Sequence, residues 1–316
     1  TLAITGTAGN DTLVLGFNGT VVTTVEGGAV SNVENVTVDL LAGVDRLSYA
    51  GNATAVTINL MIGAASGVSS ILNTENSRGG VNNDTLIGND LANDMEGQAG
   101  NDTLVGNGGA DVLNGEDGDD SFIATLNDGN DNYGGDAGND TYNMSGTSAA
   151  ATITSTSATS AETGTDVLGS IEVYIGSQGN DSITGDGSNE TLDGQGGNDT
   201  LAGLGGADAL IGGTGTDTAT YAASAAGVTV NLGANTGTGG DAAGDTFNGI
   251  ENVTGSNAND NLTGDAAANV LDGGAGNDTL NYTIGGGADT LIGGANTDTA
   301  NIAGTAGNDT LDVVFT

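Results

Sequence analysis

The sequence predicts an all-β protein, a solenoid of short stacked strands. Three observations predict it: a nine-residue repeat, an aspartate returning at one place in that repeat, and a composition that leaves little else from which to build a core.

The period of nine is clearest over 79–123, where units start at Gly79, Gly88, Gly97, Gly106 and Gly115. The same register gives five units from Gly176, Gly185, Gly194, Gly203 and Gly212, and three from Gly255, Gly264 and Gly273. Shorter stretches start at Leu126, Gly135, Ile284, Gly293 and Gly304, each run following a two-residue slip, and one isolated unit starts at Gly6. The sixth position of these 19 units holds 16 aspartates, Glu190, Asn93 and Asn269. The eighth position holds a large apolar or aromatic residue everywhere except Ala219 and Ala300.

Each unit is a turn followed by a strand. Glycines at the first and fourth positions permit positive φ and close backbone approach, and Asn and Asp favour the same turn. The last three residues, such as Thr103-Leu104-Val105, form a very short strand whose middle side chain points inward. One buried side chain per nine residues is a thin core. The sixth-position carboxylates, facing one another across stacked turns, must therefore be bridged by cations, which makes metal binding part of the folding energy.

Composition agrees. The 316 residues include 59 glycines and no proline, cysteine, tryptophan or histidine, and Arg46 and Arg78 alone stand against 41 acidic residues, a net charge of −39. Such a chain with 3% aromatics would be disordered unless its carboxylates were neutralised. Two arginines cannot hold nucleic acid, and an anionic membrane would repel the chain. Without Cys or His there is no disulfide framework and no ordinary zinc, copper or haem site. Hard divalent cations, which take carboxylate and carbonyl oxygens, fit. No stretch approaches the ~20 apolar residues of a membrane span, and a chain opening at Thr1 without a leader reads as a mature or trimmed segment.

The pattern Gly-Gly-x-Gly-x-Asp-x-apolar-x, as in Gly273-Gly274-Ala275-Gly276-Asn277-Asp278-Thr279-Leu280-Asn281, resembles the RTX (repeats-in-toxin) nonapeptide, of the surface-layer, filament or adhesin kind. The resemblance covers about half the chain. It implies a right-handed parallel β-roll with two nonapeptides per coil, and Ca2+ held in the turns by sixth-position aspartates and backbone carbonyls. The implied ligands are Asp11, Asp84, Asp102, Asp111, Asp120, Asp131, Asp140, Asp181, Asp199, Asp208, Asp217, Asp260, Asp278, Asp289, Asp298 and Asp309. Implied pairs include Asp84 with Asp102, Asp102 with Asp120, Asp181 with Asp199, Asp199 with Asp217, and Asp260 with Asp278. Joined across the slips, the runs allow at most about a dozen calcium ions. Sites at Asn93 and Asn269 lose a charge and should bind more weakly, and the slips after Ile123, Asn281 and Asn301 should locally break the stacking.

The segments between repeats are patterned too. Asp45 to Leu60 aligns with Asp217 to Leu232 without a gap, and Val36 to Leu40 is a third copy of their common strand. Period-two alternation makes these half-buried strands. Glu75, Glu172 and Glu251 stand nine residues before Asp84, Asp181 and Asp260, in the sixth position of a unit that joins each run to its spacer. The organisation expected is solenoid coils with one isolated unit over 1–78, a first roll over 79–143, a spacer coil over 144–175, a second roll over 176–220, a spacer coil over 221–254 and a third roll over 255–316. Residues 144–165, rich in Thr, Ser and Ala, read as the most linker-like stretch, though their alternation suits a wide coil.

The usual general bases, thiol nucleophiles and Schiff-base amines are absent, and nearly every acidic residue is placed by the repeat, so no enzyme activity is expected in this segment. Residues 1–18 match 299–316 at 11 of 18 positions. The expected function is a secreted, extracellular or cell-surface bacterial protein, exported by type I secretion, that folds on calcium as part of a surface layer, filament or adhesin and associates with copies of itself end to end or laterally. The alternative is the RTX carrier domain of an exoenzyme or toxin whose catalytic part lies elsewhere.

Overall fold

A computed structural model describes residues 1–283 and 287–304. Among them the chain is almost entirely short strands; the exceptions are 3-10 turns at Leu232–Ala234 and Gly240–Ala242. Contacts divide it into two compact units, one of Thr1–Ala149 with Ser155–Val173, the other of Ala150–Thr154 with the residues from Tyr174 onward.

In the first unit, strands stack in parallel ladders. One runs through Thr12–Phe17, Arg46–Ser48, Asn76–Arg78, Asp94–Ala99, Val112–Asp117, Asn132–Ala137 and Gly164–Gly169. A second runs through Thr57–Asn59, Thr85–Ile87, Thr103–Val105, Ser121–Ile123 and Thr141–Asn143. A third, of Leu2–Thr5, Val36–Asp39 and Ser70–Leu72, widens the coils before the first long run. The second unit repeats the scheme, with a ladder through Ala151–Thr154, Ser182–Thr184, Thr200–Ala202, Thr218–Thr220, Asn252–Thr254, Val270–Asp272 and Thr290–Ile292. Opposite it lie Thr191–Asp193, Ala209–Ile211 and Thr246–Asn248, then Thr229–Asn231, Asn261–Thr263, Thr279–Thr283 and Thr299–Ala303. This is the parallel all-β roll expected from the repeat.

The eighth-position side chains form the core. Leu86, Met95, Leu104, Leu113 and Phe122 are fully buried, each flanked by half-buried or exposed neighbours, because a strand sends alternate side chains to opposite faces. Tyr133 and Tyr142 continue the row, and Phe122, Tyr133 and Tyr142 stack edge to face with centroids 5.6 and 5.2 Å apart. On the outer face both arginines sit among acidic neighbours: Arg46 reaches Asp94 and Glu96 at 2.5 and 2.7 Å, and Arg78 also pairs with Glu96. In the tightly stacked turns a fourth-position glycine has no room for a side chain. Gly118 has φ +136, and a Cβ there would overlap the carbonyl of Gly100 in the coil below.

Two expectations need correction. The slips do not break the stacking at Ile123 or Asn281: Val112 pairs with Asn132 and Val270 with Thr290, the coil simply growing from 18 to 20 residues while the ladders stay in register. The slip after Asn301 runs into residues outside those described. The stretch 144–165 is no linker, since Ala151–Thr154 joins the ladder of the second unit and Ser157–Ser160 pairs antiparallel with Gly164–Gly169 in the first. Its period-two alternation, rather than its Thr and Ser content, decided its structure.

Candidate metal centre

The turns bring the sixth-position side chains into columns. In each, one carboxylate oxygen accepts the backbone N–H of the sixth-position residue one coil earlier. Asp102 Oδ1 takes the N–H of Asp84 at 2.6 Å, Asp120 that of Asp102 at 2.7 Å, and Asp140 that of Asp120 at 2.7 Å. On the other edge Asp111 takes the N–H of Asn93, Asp131 that of Asp111, and Asp166 that of Asp131. In the second unit Asp199 takes the N–H of Asp181, Asp217 that of Asp199, Asp208 that of Glu190, and Asp278 that of Asp260. Asp289 and Asp298 accept from Asn269 and Asp278 at 3.0 Å each. Asp309 lies outside the described residues.

The expected aspartate pairs are thus stacked neighbours, and their second oxygens sort them further. Asp102, Asp111, Asp120, Asp140, Asp199, Asp208, Asp217 and Asp278 are buried and have an Oδ2 with no hydrogen-bond donor. A buried carboxylate oxygen left unmatched is costly unless something else is bound there. In these units the second residue of the turn is left-handed, as at Gln98 (φ 88), Asn107 (φ 65), Glu116 (φ 76) and Gln195 (φ 68). In Asp11, Asp84, Asp181 and Asp260, by contrast, the second oxygen accepts the second-position N–H of its own turn, from Thr7, Gly80, Ser177 and Ser256. Asp131 stands apart, its Oδ2 taken by the Tyr133 hydroxyl at 3.1 Å.

The residues fit a hard cation. A Cβ on Gly97 would collide with Asp102 Oδ2 and lie 2.8 Å from the Gly115 carbonyl oxygen, so a carboxylate and a carbonyl from successive coils converge beside the bare glycine. Gly194 with Asp199 and Gly212, and Gly273 with Asp278 and Gly293, repeat the arrangement. Among the described residues no three acidic side chains converge on one point, so the remaining donors must be turn carbonyls, which calcium accepts in its six to eight oxygen ligands. Burial pushes the carboxyl groups up despite the opposing backbone hydrogen bonds, Asp102 to about 6 and Asp111, Asp120 and Asp199 to about 7. A bound cation would reverse that penalty.

Several members of the columns were missed by the repeat. Asp45, Asp166 and Asp245 extend them through the wide coils, taking the N–H of Asp11, Asp131 and Asp208. The signal was present as Gly-x-Asp-x-Leu in Gly43-Val44-Asp45-Arg46-Leu47 and Gly164-Thr165-Asp166-Val167-Leu168. Glu75, Glu172 and Glu251 accept from Asp45, Asp140 and Asp217, as their register implied. Tyr142 and Tyr221 are buried and donate to Asp166 and Asp245 at 2.6 and 2.7 Å. Asp128, outside the sixth-position column, is buried with an unmatched Oδ1 and is pushed up to about 7 by burial.

A second rail runs beside the first with opposite direction. The fifth-position side chain accepts an N–H from the following coil, from Asn101 to Asn83, Asp119 to Asn101, and Asn198 to Asn180. Turns with Asn or Asp at the fifth position are therefore tied both forward and back.

A family model of four copies of the RTX calcium-binding nonapeptide repeat matches residues 3–17, 87–122, 169–201, 184–219, 245–281 and 285–300. No curated protein matches the chain.

Proposed function

The chain belongs to the RTX calcium-binding nonapeptide-repeat family, and from that premise we propose that it is a secreted structural or adhesive segment of a bacterial surface layer, filament or large adhesin. The observation that carries this reading is the continuity of the carboxylate columns through the spacers as well as the repeats. Asp45, Glu75, Glu172, Asp166, Asp245 and Glu251 keep the pattern going where the nonapeptide lapses, so the segment's acidic groups are committed to scaffold. Calcium would be held by the buried aspartates and the glycine carbonyls, and would supply the charge neutralisation without which −39 opposes compaction. Export follows the same logic: unfolded where calcium is scarce, the chain folds outside. Among the described residues no helix is long and apolar enough to cross a membrane.

The matching sequences of 1–18 and 299–316 favour self-association, since a coil of one copy offers the pattern that a coil of another copy already stacks on. A head-to-tail contact of this kind is heterologous and leads to filaments or sheets. Light scattering and electron microscopy of the chain with and without calcium test it. Calcium-dependent filaments or sheets are expected; a strictly monomeric folded species at high concentration would favour the carrier domain of an exoenzyme or toxin.

A further inference from the structure

We infer that the first sixth-position aspartate of each long run holds no calcium, and that in the first and third runs the whole first coil is a starter coil, with the calcium row beginning one coil later. This rests on the calcium reading of the donorless carboxylate oxygens. Asp84, Asp181 and Asp260, the first sixth-position residues of the three runs, have both oxygens satisfied by protein. One oxygen takes an N–H from the spacer coil beneath, from Val56 at 2.7 Å, Ala151 at 2.6 Å and Val228 at 2.7 Å. The other takes the second-position N–H of the same turn, from Gly80, Ser177 and Ser256. The hydroxyls of Ser177 and Ser256 add bonds to the same carboxylates at 2.8–3.1 Å. The residues on which these aspartates stack are Val, Ala and Val, with no carboxylate to share a cation.

The second unit of each first coil gives independent support. The three sixth positions that are not aspartate, Asn93, Glu190 and Asn269, all fall there, in units starting at Gly88, Gly185 and Gly264. Asn93 and Asn269 accept the N–H of their own turn's second residue, from Asn89 at 2.8 Å and Asp265 at 2.7 Å. Their amide groups donate to the backbone carbonyls of Glu75 and Glu251 at 2.5 and 2.8 Å. A hydrogen-bond donor therefore stands beside each of these positions, where a cation would be repelled. Asn93 and Asn269 are neutral where no metal binds, whereas Glu190 keeps a buried Oε2 without a donor and stands apart; from the next coil onward every sixth position in the described residues is aspartate until the wide coils. In the first and third runs the starter coil is thus a template that folds on hydrogen bonds alone.

The test is calcium stoichiometry of the folded full chain, by native mass spectrometry and by isothermal titration, with circular dichroism confirming the fold. Asp181→Asn and Asp260→Asn are expected to bind as many ions as the unaltered chain, and Asp199→Asn and Asp217→Asn fewer. Asn93→Asp and Asn269→Asp are expected to add none. Loss of an ion in folded Asp181→Asn, or gain of one in Asn269→Asp, would overturn the starter-coil assignment while leaving calcium binding intact. No calcium on the unaltered chain would overturn the calcium reading, and the assignment with it.

Discussion

Asp120 Oδ1 accepts the backbone N–H of Asp102 at 2.7 Å, 18 residues back along the chain, while Oδ2 of the same carboxyl is buried without a donor. One oxygen holds the coils together; the other is left for a cation.

Chelation is expected to unfold the chain. With one core side chain per nonapeptide, the buried carboxylates cannot stay ionised and unmatched without a cation. Circular dichroism should lose its strand signal in chelator and regain it sharply in calcium, with site affinities in the extracellular range of about 10⁻⁴–10⁻³ M. A strand signal indifferent to chelator would refute calcium-coupled folding.

Asp102→Ala is expected to raise the calcium midpoint more than Asp11→Ala. Asp102 carries a donorless oxygen and ties down Asp84, whereas Asp11 has its second oxygen bound by Thr7. Asp11 is not isolated, for its N–H donates to Asp45, but that bond survives truncation of its own side chain. Titrations of both variants followed by circular dichroism decide it, and a larger shift for Asp11→Ala would contradict the assignment.

Acid is expected to replace calcium in part. Burial raises Asp102 to about 6 and Asp120 and Asp199 to about 7 in the metal-free fold, against about 3.9 when unfolded. A raised folded value contributes stability that is complete below about pH 4 and is lost as pH rises through 6 to 7. Metal-free strand content should therefore increase from pH 8 to pH 5. Calcium needs the ionised carboxylate, so its midpoint should move the other way, to higher calcium at lower pH. Metal-free spectra that do not change over this range would count against the burial argument.

Tyr142→Phe is expected to destabilise the calcium-loaded chain by about 1–3 kcal/mol, the cost of leaving a buried acceptor unmatched. The hydroxyl is bonded to Asp166 Oδ2 at 2.6 Å, and the ring alone would keep its edge-to-face contact with Tyr133. Thermal unfolding in saturating calcium measures the difference; an unshifted transition would mean the hydroxyl is not needed there.

The fold was legible because its period is short and its inward positions are few. Gly97, Asp102 and Leu104 each have one role, and their spacing exposes it. The wide coils were less legible, since Asp166 and Asp245 sit 35 and 37 residues from the groups they join, Asp131 and Asp208, and no fixed period reaches that far. The difference between Asp181 and Asp199 was legible only indirectly, in the serine at Ser177 and the non-aspartate at Glu190. Both stand in the same motif, and only the backbone angle of the preceding second residue and the nature of the coil beneath separate them.

The coils lengthen from 18 to 20, 35 and 37 residues without the columns losing step. Added residues lie between fixed anchor points, and some of them seat the next run, as Val56, Ala151 and Val228 do for Asp84, Asp181 and Asp260. The two-residue slips are the simplest insertions: the coil grows while the anchors on both sides keep their bonds, so these are the points where added sequence leaves the scaffold beneath unchanged.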